Sequence, residues 1–102
     1  MCYVFAGQSP ESYDFISRSV RLGGHSTSVR LEAKFWTIID DIAEKQHITT
    51  GQFLSLLYDE ATELHGEVSN FASLLRCSCV MYLSQPADVI NTAKHQLRVQ
   101  AH

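Results

Sequence analysis

The spacing of the apolar residues changes abruptly at Ala33, and that change limits what the chain can build. Before it, Ser26-Thr27-Ser28-Val29-Arg30-Leu31 alternates polar and apolar, so Val29 and Leu31 face one way while Ser28 and Arg30 face the other, as in a half-buried strand. After it, Phe35, Ile38, Ile39, Ile42 and Ala43 recur at helical spacing with Asp40, Asp41, Glu44 and Lys45 opposite, which predicts a helix over 33–46. A second helix is predicted from Thr50 to Leu64. Thr49 is placed to cap it, Gln52 three residues on can complete a capping box, and Phe53, Leu54, Leu57, Ala61 and Leu64 form its apolar stripe. Gly66 is its stop signal.

One short strand followed by two amphipathic helices leaves strand N–H and carbonyl groups without partners. Two solutions are open. The tetrapeptide SVRL occurs at Ser19–Leu22 and again at Ser28–Leu31, both copies read as strands, and Gly23-Gly24 between them is a turn signal, so a hairpin within the chain is one. The repeat is too short to be given functional weight of its own. The other solution is antiparallel pairing with a second copy about a two-fold axis, which puts an apolar face on the helices and leaves a polar face carrying Ser26, Ser28 and Arg30 from each chain. A two-stranded ribbon has the width to enter the major groove of DNA, where Arg pairs with guanine and Ser bonds to several bases.

The run RSVRLGGHSTSVRLEAKFW, followed by HITTGQFLSLLYDE, resembles the ribbon-helix-helix domain family, specifically a bacterial branch in which a GHSTS-type segment leads into the strand. The resemblance spans about 18–83, with SNFASLLRCSCVMYL as its continuation. It implies a mainly α, ribbon-helix-helix (β-α-α) dimer with an additional C-terminal helix and an N-terminal arm. The family implies DNA-binding repressors and antitoxin-type regulators, whereas this branch consists largely of domain-containing proteins of unassigned role. Carried over residue by residue, the base-reading strand positions fall on Ser26, Ser28 and Arg30, and the phosphate-anchoring helix start falls on Thr49, Thr50 and Gly51. Free N–H groups and the positive end of the helix dipole favour an anion at such a start, although a capping role alone also accounts for the threonines. Arg18, Arg21 and Lys34 are expected phosphate contacts, with a solvated basic face as the alternative. For Arg30 the alternative is pairing with Glu32 or with an acid on another chain.

Charge distribution bears on the partner. The net charge is −3, but four basic residues (Arg18, Arg21, Arg30, Lys34) and a single acid (Glu32) lie between Phe15 and Lys34. Residues 35–67 hold Lys45 against seven acids, and Asp59, Glu60 and Glu63 beside Tyr58 form an acidic patch to which another protein could dock. Double-stranded DNA is therefore the expected partner of the dimer, with a protein-interaction module, antitoxin-like or an adaptor, as the second reading. No grouping of nucleophile, base and orienter appears, so no enzyme, cofactor or metal is expected. A Cys2 nucleophile exposed by methionine removal would need a far longer chain to build its pocket. The three cysteines, Cys2, Cys77 and Cys79, are expected to be mostly buried thiols, His25 a turn residue, and Phe35 and Trp36 core or interface anchors.

No apolar stretch approaches the roughly 20 residues that cross a bilayer, and the opening lacks a basic segment followed by a long apolar run, so a cytoplasmic protein is expected. Three parts are expected: 1–17 an arm or added strand, 18–84 the domain, and 85–102, beyond the break at Pro86, a final helix or tail. Within 18–84 a third helix begins at Ser69 and carries Phe71, Leu74, Leu75, Val80, Met81 and Leu83, so apolar on all sides that burial against a second subunit is expected.

Overall fold

The computed structural model describes residues 2–84. Two short helices, α1 (Cys2–Ala6) and α2 (Pro10–Tyr13), precede a hairpin of β1 (Phe15–Leu22) and β2 (His25–Glu32). Three helices follow: α3 (Ala33–Lys45), α4 (Thr50–His65) and α5 (Phe71–Ser84). The N-terminal residues are thus a helical arm running into an added strand, and the expected final helix or tail over 85–102 lies outside the described residues.

Of the two ways to pair the ribbon strand, the chain uses its own. β1 and β2 are antiparallel, with Ser17 opposite Arg30, Ser19 opposite Ser28, Arg21 opposite Ser26 and Leu22 opposite His25. Gly23 and Gly24 close the turn with φ of 58° and 83°, the positive values that a two-residue hairpin loop demands and that glycine adopts without steric cost. A lone strand is therefore no argument for a second subunit: the β2 backbone already has a partner on one side.

Alternation then sorts the hairpin into two faces. Leu22, Val29 and Leu31 turn inward onto Trp36 and Ile39 of α3, Leu54 of α4, and Leu75 and Cys79 of α5, which together form the core. Trp36 is buried, and its indole N–H donates to the Ile16 carbonyl at 2.8 Å, so the large ring gains core packing without leaving a polar atom unpaired. The capping box at α4 is present as expected: Thr49 Oγ1 accepts from the Gln52 N–H and Gln52 Oε1 accepts from the Thr49 N–H. At the open end of the hairpin the Ala33 N–H donates to the Asp14 carbonyl at 2.8 Å, which pins the entry of β1 to the start of α3.

Two expectations need correction. Only Cys79 is buried, where it sits against the Phe35 carbonyl and burial pushes its thiol up to about 11; Cys2 and Cys77 are exposed. The third helix starts at Phe71 and buries Leu75, Cys79 and Tyr82 against its own chain, so it needs no second subunit for that face. Val80, Met81 and Leu83 on its outer side are exposed.

Candidate nucleic-acid interface

The outward face of the hairpin is polar along both strands. Ser26, Ser28 and Arg30 project from β2, and their cross-strand partners Arg21, Ser19 and Ser17 project beside them from β1; all six are exposed. Sequence reasoning placed only the β2 half in this role. The signal that marks the other half was present in the repeated SVRL, but it acquires meaning only once the register sets the copies side by side.

The two arginines of this face are held in different ways. Arg30 Cζ lies 4.4 Å from the centroid of the Phe15 ring, its diagonal neighbour, so the flat side of the guanidinium is docked while its N–H edge is left toward solvent. Arg21 Nη2 donates to the Gly24 carbonyl at 2.9 Å across the turn. Glu32, at the end of the face, is taken by Arg76 of α5, whose Nε and Nη2 donate to Glu32 Oε1 at 2.9 and 2.8 Å and hold that carboxyl below its ordinary range. Glu32 therefore answers to Arg76 and leaves Arg30 to the ring.

Arg18 occupies the opposite face. It stacks on Trp36, 4.5 Å from the ring centroid, and its two terminal nitrogens meet both Asp40 oxygens at 2.8 and 3.0 Å. Thr50, the first residue of α4, donates its hydroxyl to the same Asp40 at 2.7 Å, so the carboxylate stands beside the start of that helix and complements its dipole. Thr49 is engaged in the capping box, and Gly51 beside it is exposed. Lys34, in the first turn of α3, donates to Gln8 of the arm at 2.7 Å. The structure thus brings Arg21 together with Ser26, Ser28 and Arg30, ties Arg18 and Thr50 to one carboxylate on the other side, and sets Lys34 at the arm.

Among the described residues there is no group of three His, Cys, Asp or Glu side chains placed to hold a metal ion. Nor is any helix there long and apolar enough to cross a membrane.

Comparison with known proteins agrees with the architecture. Among curated proteins none matches. A solved structure of an uncharacterized protein from Bordetella pertussis Tohama I is similar with a TM-score of 0.82 and 40% identity, over 86% of this chain and 70% of that one. The family described as ribbon-helix-helix domain matches residues 15–83, a span that runs from the first residue of β1 almost to the end of α5. The chain belongs to the ribbon-helix-helix domain family, whose members are binding modules rather than enzymes.

Proposed function

We propose that this protein is a DNA-binding transcriptional regulator that lays the outward face of its hairpin into the major groove. The observation that carries this reading is the face itself: four serines and two arginines, all exposed, with the carboxylate at its end neutralised by Arg76. Such a face offers hydroxyls and guanidinium forks to base edges while presenting no free acid to the phosphates. Ser26, Ser28 and Arg30 read bases. Lys34 and the Thr49-Thr50-Gly51 start of α4 take phosphates, and Arg18 joins them where a phosphate displaces Asp40.

Family membership supports a homodimer, and the exposed Val80, Met81 and Leu83 on α5 give a second copy an apolar surface to cover. The hairpin does not supply that contact, since each chain carries a whole ribbon. The cytoplasm is the compartment where such a regulator acts.

The test is enrichment of genomic fragments on the purified protein at low salt. Binding is expected there and falls steeply with added salt, because each neutralised phosphate releases counterions and the acidic α4 opposes approach. Arg30→Ala is expected to relax preference at particular positions, whereas Lys34→Ala weakens all sequences alike and flattens the salt dependence. No enrichment at low salt would turn the assignment to a protein partner docking on Asp59, Glu60 and Glu63.

A further inference from the structure

The six residues Ser17-Arg18-Ser19-Val20-Arg21-Leu22 recur nine positions later as Ser26-Thr27-Ser28-Val29-Arg30-Leu31, with Arg18 against Thr27 as the single difference. In the hairpin Ser19 stands opposite Ser28. An antiparallel pair has a local two-fold axis through any such pair, and the axis through Ser19 and Ser28 carries each β1 residue onto the residue nine later in β2. It takes Ser17 to Ser26 and Arg21 to Arg30 on the outward face, and Val20 to Val29 and Leu22 to Leu31 on the inward one.

The symmetry extends to contacts. Arg30 turns to Phe15, and Arg21 turns to the carbonyl of Gly24. Phe15 and Gly24 are themselves nine apart, so each arginine reaches for the residue that the axis exchanges with the other's partner. A hairpin needs only polar side chains at 17, 19 and 21 to keep its outer face wet. Identical residues in a register that makes them two-fold equivalents are a stronger condition, and it is one that two-fold duplex DNA would reward.

We propose that one chain is a complete two-fold reading head. Ser17, Ser19 and Arg21 read one half of a short inverted repeat in double-stranded DNA, and Ser26, Ser28 and Arg30 read the other, so β1 stands where a second copy would otherwise contribute its strand. This rests on the reading of the outward face as a DNA surface. Arg21 and Arg30 lie two residues to either side of the axis, about 13 Å apart along the ribbon at the usual rise per residue. That corresponds to about four base pairs, so the two guanines they contact belong to half-sites that abut.

The experiment is selection from a randomised duplex library by the intact chain and by Arg21→Ala and Arg30→Ala. The wild type is expected to enrich a short inverted repeat. Each variant is expected to give the same one-sided motif, with guanine kept in one half and relaxed in the other, and to bind the full repeat about 5- to 150-fold more weakly. Arg21→Lys and Arg30→Lys, which keep the charge but lose the fork, are expected to give the same one-sided motifs. If Arg30→Ala relaxes both halves together while Arg21→Ala leaves the motif symmetric, the ribbon is shared between two chains and the inference is overturned, with DNA binding intact. If the wild type enriches nothing, the DNA reading fails and takes the inference with it.

Discussion

Asp40 joins three elements through one side chain. It accepts two hydrogen bonds from Arg18 of β1 and one from Thr50 of α4, while sitting itself on α3. The Arg18 guanidinium, and after it the Thr50 hydroxyl, holds this carboxyl below the ordinary 3.8 against an opposing effect of burial. A carboxyl whose folded value is depressed stabilises the fold fully above the unfolded value and loses that contribution as pH falls through the folded one, here below about pH 4. Because the pair is well exposed to solvent, its contribution is modest: Asp40→Asn is expected to cost about 1 to 2 kcal/mol at neutral pH and to flatten the acid limb of the stability curve. Trp36, the only tryptophan and the ring under Arg18, gives the fluorescence signal for urea melts at pH 3 to 7. An acid limb as steep in Asp40→Asn as in the wild type would show that other carboxyls set it. None of this network was legible beforehand, since 18, 40 and 50 are distant in sequence and Arg18 looks like one more member of a basic cluster.

At the scale of elements the sequence was most readable where local chemistry decides. The capping box at Thr49 and Gln52, the change of period at Ala33 and the Gly23-Gly24 turn each depend on a few adjacent residues, and each is found in the structure. What local chemistry could not decide was the partner of β2, because SVRL pairs as well with its own repeat as with another chain. Closure by the glycine turn settles it, and the turn can be tested. At Gly23 an added Cβ meets the Tyr58 ring at 3.2 Å and φ is +58°, whereas at Gly24 nothing lies within 4 Å although φ is +83°. Gly23→Ala is expected to cost about 1 to 2 kcal/mol for the backbone plus the displacement of Tyr58, and Gly24→Asn less than about 1 kcal/mol, because Asn tolerates positive φ. Equal urea midpoints for the two variants would mean that the turn does not set the pairing.

Over the whole molecule two properties compete. The basic outward face of the hairpin draws nucleic acid, while a net charge of −3, concentrated on α3 and α4, opposes it and keeps copies apart. Association must therefore come from apolar surface, which the chain offers at two places: Tyr3, Val4 and Phe5 on the arm, and Val80, Met81 and Leu83 on α5. The arm helix buries none of its residues, whereas α5 is anchored by Leu75, Cys79 and Tyr82, so α5 presents the firmer surface. Val80 and Met81 are 58% and 63% exposed, and replacing both with glutamate leaves the core of the single chain untouched. The double variant is expected to keep its helical circular dichroism and to sediment as a monomer at concentrations where the wild type is a dimer. Its thermal midpoint is then expected to lose the dependence on protein concentration that a dimer imposes. With each ribbon complete in one chain, the monomeric variant is also expected to enrich the same inverted repeat as the wild type. Sedimentation of the wild type as a monomer across the micromolar range would remove the homodimer from the proposed function. Loss of the two-fold motif in a folded, monomeric variant would show that the second copy contributes to the reading face itself.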